Sequence, residues 1–235
     1  MSTNYTMFFV FVLTAVVAVS LAGFREITKD VAERNEDIFN KRAVLLAIED
    51  HLAEAETVAD LTDEQVLEVF SKMETRVLDM EGNEVEGRMA SDVDMKKETK
   101  KPKADRHLPF YVYNAESGKI YILSVFGKGL WDDIWGCVAL KEDLNTIAGV
   151  AFDHKGETPG LGGEITDNPS FRKSFNNKQI FKDGKFVSIK VLKRVQDAQH
   201  EVDGISGATI TSVGVSDMLM EGLGNYLPYL EKIKQ

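Results

Sequence analysis

An uncharged, largely apolar run extends from Met7 to Phe24, after which apolar positions take up a helical rhythm and from Leu108 onward alternate with a period of two. The first run would span about 27 Å as a helix, close to the thickness of a bilayer's hydrocarbon core. Its Phe, Val and Leu residues between Phe8 and Leu21 favour insertion by about 3 to 6 kcal/mol in total. Signal peptides begin with basic residues, and the first 24 positions hold no Lys or Arg. Phe24 stands where a lipoprotein signal needs cysteine. Residues 1–24 are therefore read as a retained single anchor.

Residues 25–107 read as a membrane-proximal region. Ile27, Val31, Ile38, Ala43, Leu46 and Ala47 fall on one helical face, and Thr62-Asp63-Glu64-Gln65 is a capping box opening a short helix that buries Val66, Leu67 and Phe70. Arg76–Met80, Gly82-Asn83 and Glu84–Glu86 predict a hairpin. Asp92–His107 carries Lys96, Lys97, Lys100, Lys101, Lys103 and Arg106; with Pro102 and no periodicity it reads as a solvated basic loop.

Residues 108–235 form the candidate functional domain. Phe110–Tyr113, Ile120–Val125 and Ile147–Phe152 are strand-like, and Asp183-Gly184 between Ile180–Lys182 and Phe186–Ile189 is a hairpin signal. The chain turns helical again with an apolar stripe at Val215, Met218, Leu219, Gly222, Leu223 and Tyr226, which Pro228 is expected to disturb. The pattern predicts an α+β fold with an antiparallel sheet.

Charge and composition then narrow the function. The 235 residues carry a formal net charge of −10, which disfavours a general nucleic-acid binder. Cys137 is the only cysteine, and one thiolate cannot by itself hold an iron–sulfur cluster or a structural zinc, so a resident redox cofactor is expected to be organic. His51, His107, His154 and His200 show no ligand spacing and read as surface or loop residues. Gly160-Leu161-Gly162 and Gly222-Leu223-Gly224 do not continue as dinucleotide fingerprints, so no NADH site is expected on this chain.

Three glycine-bearing segments carry the candidate chemistry. Asp203-Gly-Ile-Ser206-Gly207-Ala208-Thr209 ends a β-rich stretch and runs into the last helix, with Thr211 or Ser212 available as caps. A helix N-terminus with free N–H groups suits a phosphate, although the same turn could serve as a simple cap. His154-Lys-Gly-Glu157-Thr158-Pro-Gly160-Leu161-Gly-Gly can lie close to a flat ligand, with Glu157 and Thr158 as polar contacts and Leu161 as an apolar one. Gly127-Lys-Gly129-Leu-Trp131-Asp offers an aromatic to shield a ring, whereas Trp135 reads as a core or interface residue.

The Ser-Gly-Ala-Thr motif resembles the flavinylation sequence of the FMN-binding domain family, and the three segments together resemble the C subunit of Na+-translocating NADH–quinone reductases. The resemblance covers about Leu108 to Leu227. The Glu-Thr-Pro-Gly-Leu-Gly loop and the Ser-Gly-Ala-Thr motif are shared with the G subunit of Rnf ferredoxin–NAD complexes, while Gly-Lys-Gly-Leu-Trp favours the quinone reductase. One departure is visible: Phe171 and Phe175 stand where the family often has tryptophan.

The resemblance implies one FMN bound covalently by phosphoester to Thr209, attached by a separate flavin transferase using FAD. It implies electrons received from an iron–sulfur centre of the D and E subunits and passed to a flavin in the B subunit. A flavin suits that relay because it takes up electrons in pairs or singly. It also implies an inner-membrane protein with its FMN domain on the periplasmic side. The basic residues Arg25, Lys29, Arg34, Lys41 and Arg42 just after the span point the other way under the positive-inside rule. Alternatives are the G-type subunit of an Rnf ferredoxin–NAD complex, a membrane-anchored flavin redox sensor, or a scaffold whose glycine loops are only turns.

Overall fold

The computed structural model describes residues 3–52 and 57–234 and divides at Phe39/Asn40 into two compact units. The first lies within α1 (Thr3–Leu46), the one described helix long and apolar enough to cross a membrane. Its large side chains from Phe8 to Leu21 are exposed. The helix continues through Phe24 without a break, and residues 40–107 fall in the same compact unit as residues 108–235. Of the residues read onto one helical face, Ile27 and Val31 are exposed, whereas Ile38 and Ala47 are buried.

In the second unit, α2 (Asp63–Ser71) opens with the expected capping box: Gln65 N–H donates to Thr62 Oγ1 and Thr62 N–H to the Gln65 side chain. Its buried face is Val66, Val69 and Phe70, with Leu67 only half-buried. Then follow β1 (Glu74–Leu78), α3 (Met95–Glu98), β2 (Leu108–Ala115), β3 (Gly118–Lys128), β4 (Asp133–Leu140) and β5 (Ile147–His154). The five strands make one antiparallel sheet in sequential order, as meandering connections favour. The expected hairpin at 76–86 closes with Val85 N–H donating to Val77 O at 2.8 Å and Asp79 N–H to Asn83 O at 2.9 Å around an antiparallel bridge between Leu78 and Glu84, on the edge of β1 opposite β2.

Short helices α4 (Glu164–Asp167) and α5 (Pro169–Lys173) follow β5, and Phe171 and Phe175 pack edge to face against each other, Phe175 also against Phe152. The predicted Asp183-Gly184 hairpin joins β6 (Phe181–Lys182) to β7 (Lys185–Phe186). A parallel pair that the sequence did not signal, β8 (Lys190–Leu192) and β9 (Glu201–Asp203), leads into α6 (Thr209–Ile233).

Pro228, the basic segment and two of the histidines depart from expectation. Pro228 lies inside α6, which runs on unbroken to Ile233. The basic segment is an ordered strap: Glu98 is buried among Arg88, Lys101 and the His107 N–H, Lys96 pairs with Asp133 at 2.5 Å, and Arg106 with Glu221 on α6 at 3.2 Å. Burial opposes ionisation of Glu98, but these donors hold its carboxyl below the usual range. Not all histidines are loose surface residues: His200 is buried with Nδ1 2.6 Å from Gln179 O, and His154 Nδ1 accepts from the Glu157 N–H.

The apolar stripe of α6 packs on the sheet as its spacing predicts, with Val215, Met218, Leu219, Leu223 and Tyr226 in the core. A Cβ on Gly222 would come within 2.6 Å of Val125 on β3, so the close approach there requires glycine. The Tyr226 hydroxyl donates to Pro109 O at 2.7 Å and accepts from Ser124 N–H at 3.2 Å. At the helix's other end, Ser216 Oγ accepts from Val191 N–H of β8 at 2.8 Å. These anchors fix α6 against β2, β3 and β8.

Candidate functional site

The three glycine-bearing segments meet at the start of α6. Gly207 has φ +85°, and its Cβ position lies 3.4 Å from Gly160 O and 4.0 Å from Leu161 Cδ2. A Cβ on Gly214 would sit 2.2 Å from Lys128 O and 3.4 Å from Gly129 Cα. Between them, the Thr211 hydroxyl donates to Glu157 Oε2 at 2.6 Å, and Trp131 N–H donates to Glu157 Oε1 at 2.9 Å. Turn, loop and helix start are thus one construction.

Thr209 is the first residue of α6 and is exposed. The residue before it, Ala208, is buried, and no side chain caps the helix. Thr211 and Ser212 do not cap, contrary to expectation: Thr211 is spent on Glu157, and Ser212 Oγ accepts from Ile205 N–H at 3.2 Å inside the fold. Free first-turn N–H groups and the helix dipole therefore sit beside an exposed hydroxyl, which suits an anionic group at this point. Asp203, Ser206 and Gly207 are exposed on the approach to Thr209.

Around this point lie large apolar side chains open to solvent: Leu130 and Trp131 from the β3–β4 turn, Leu161 from the loop after β5, and Ile210 and Val213 from α6. Trp131 is 68% exposed, whereas Trp135 in β4 is half-buried. Thr158 and Gly160 are exposed too, Gly160 with φ +80° and no atom within 4 Å of its Cβ position. Glu164 shapes this loop by accepting from the Gly160 and Gly162 N–H groups. An uncapped helix start, a glycine loop open on one side and an apolar rim together fit a flat aromatic ligand carrying a phosphate.

Glu157 is the candidate whose setting differs most from a ligand contact. Only 4% exposed, it faces Thr211 and the backbone of the β3–β4 turn. Burial opposes its ionisation, but the Thr211 hydroxyl and the Trp131 and Asp132 N–H groups outweigh that and hold the carboxyl below its ordinary range. The sequence missed other members. Asp133, buried at the start of β4, binds Lys128 and Lys96, which depress its pKa. Ile210 and Val213 were also missed, although their spacing beside Thr209 on a helix could have revealed them.

Such a site defines an FMN-binding domain, and residues 129–224 match the family model of that description. Among curated relatives, the C subunit of the Na+-translocating NADH–quinone reductase of Vibrio anguillarum is 37% identical over 72% of this chain and 74% of its own length. Its counterpart from Haemophilus ducreyi is 39% identical over 55% of this chain and 52% of its own. The crystal structure of the corresponding C subunit from Parabacteroides distasonis superposes with a TM-score of 0.75 at 33% identity, covering 86% of this chain and 96% of that one. The chain belongs to the family of C subunits of Na+-translocating NADH–quinone reductases.

Proposed function

We propose that this chain is a membrane-anchored flavoprotein subunit that carries one FMN covalently on Thr209 and relays electrons within a Na+-translocating NADH–quinone reductase. The observation that carries the reading is the convergence of three segments on an exposed threonine hydroxyl at an uncapped helix start. The names of the relatives support the quinone-reductase assembly over the Rnf type. The partners are then the flavin-bearing B subunit and the iron–sulfur-bearing D and E subunits. The flavin supplies the capacity to accept and release electrons one or two at a time.

The chain's own residues hold and orient. The first-turn N–H groups of α6 would hold the phosphate, to which the dipole would add about 0.3 to 1 kcal/mol. That is too little to position a cofactor alone, so Leu161, Trp131, Leu130 and the Gly160 backbone supply the ring contacts. Attachment needs a flavin transferase, since an ordinary threonine hydroxyl is a poor nucleophile without an activating base. With FAD as donor, Thr209 Oγ would take the FMN phosphoryl group as the pyrophosphate bond breaks and AMP leaves, its hydroxyl proton going to the transferase. α1 anchors the chain in the inner membrane, with the FMN domain on the periplasmic side.

Thr209→Val tests the attachment. Produced with the transferase, the variant should fold and lose all flavin fluorescence in a denaturing gel. Fluorescence equal to that of the parent would contradict the assignment.

A further inference from the structure

The buried carboxylate of Glu157 has both oxygens engaged by the protein. Oε1 accepts from Trp131 N–H at 2.9 Å and stands 3.5 Å from Asp132 N; Oε2 accepts from Thr211 Oγ1 at 2.6 Å. Glycines wall it in: a Cβ on Gly129 would lie 2.5 Å from Oε1, and one on Gly162 2.8 Å from Oε2 and 2.5 Å from Thr211 Oγ1. Glycine at these positions therefore makes room for the carboxylate and its hydroxyl partner, leaving no space for a ligand between them.

The consequence reaches Thr209 through helix geometry. Residues two apart on an α-helix point about 200° apart around its axis. Fixing the Thr211 side chain inward therefore turns Thr209 outward, and the exposure of Thr209 beside buried Thr211 agrees. The same carboxylate ties the backbone of the turn bearing Trp131 to the first turn of α6. Among the hydroxyls from Ser206 to Ser212, Thr211 and Ser212 are withdrawn into the fold, and Thr209 is the exposed one on the helix.

We propose that Glu157 is the positioning residue of the flavin site. Its carboxylate fixes the rotation of the first turn of α6, so that Thr209 is the hydroxyl offered outward, and holds the Trp131 turn against it. This rests on Thr209 as the attachment point.

The test uses the full chain carrying Glu157→Ala, Glu157→Gln, Thr211→Val or Glu157→Ala with Thr211→Val. Each is made with the transferase to measure covalent flavin per folded protein and the flavin's absorption. Each is also made without the transferase to measure amide hydrogen exchange at Trp131 and across residues 209–212. Glu157→Ala and Thr211→Val should each lower flavin yield at least fivefold or shift its absorption, and Glu157→Ala should speed Trp131 exchange at least tenfold. Glu157→Gln should restore most of both, since its carbonyl can accept from Trp131 while its amide donates to Thr211 Oγ1. The double variant should be no worse than Glu157→Ala alone.

Parental flavin yield, absorption and Trp131 exchange in Glu157→Ala would overturn the proposal. So would loss of flavin in both Glu157 variants with unchanged exchange, which assigns the side chain to direct flavin contact. Should Glu157→Ala fail to fold, Glu157→Gln and Thr211→Val decide by the same readouts. If parental protein carries its flavin elsewhere than Thr209, the attachment reading fails, while the exchange data still report whether Glu157 holds the turn and helix together.

Discussion

At the residue scale, Gly160 and Gly162 show two different reasons for glycine in one loop. Gly162 is constrained by neighbours, because a Cβ there would strike Thr211 and Glu157. Gly160 has open space around it but a φ of +80°, which costs a β-branched residue about 1 to 3 kcal/mol. Gly160→Val should therefore leave the core intact, lower stability by about that amount, and shift the flavin's absorption or potential or hinder its attachment. A variant with unchanged stability, spectrum and potential would show that the loop is not the ring's surface. The sequence revealed Thr209, Gly160, Leu161 and Trp131 as candidates because motif spacing carries backbone conformation. It could not reveal which way Glu157 points, since that depends on Thr211, far along the chain and brought near by packing.

At the element scale, strands and helices with a clear period were legible. β2, β3 and β5 coincide with alternating or continuous apolar runs, and α6 with its stripe. β4 escaped notice because its apolar run follows directly on the Gly-Leu-Trp turn, and β8 and β9 because parallel three-residue strands leave almost no pattern. Pro228 is accommodated within α6, a tertiary outcome that local propensity opposes. The basic strap was misread for a related reason: its order comes from Glu98, Asp133 and Glu221, two of them remote in sequence. The seam between α6 and the β3–β4 turn is set by Gly214, against the carbonyl of Lys128. Because that neighbour is backbone, Gly214→Ala should force the two elements apart, costing about 1 to 3 kcal/mol and reducing flavin attachment. Thermal unfolding and in-gel fluorescence check both; a fully stable, fully flavinylated variant would refute the seam.

At the scale of the whole molecule, the charge pattern and the proposed attachment disagree on sidedness. The basic flank after Phe24 favours retention of the following residues in the cytoplasm, whereas the proposed flavin transfer outside the cytoplasm would need the domain across the membrane. The single native thiol helps to decide, because burial pushes Cys137 up to about 11 and withdraws it from reagents. A cysteine introduced as Lys103→Cys, on the exposed strap, should react with a membrane-impermeant maleimide in intact spheroplasts. Reaction only after lysis would put the domain in the cytoplasm.

The central claim, one FMN esterified to Thr209, is tested most directly by the mass of the intact chain purified from its native host, followed by fragmentation of the peptide that spans the start of α6. The account predicts a mass greater than the chain's own by one FMN less one water, retained on denaturation and located on Thr209. A chain of unmodified mass, or a flavin found on any other residue, would contradict it.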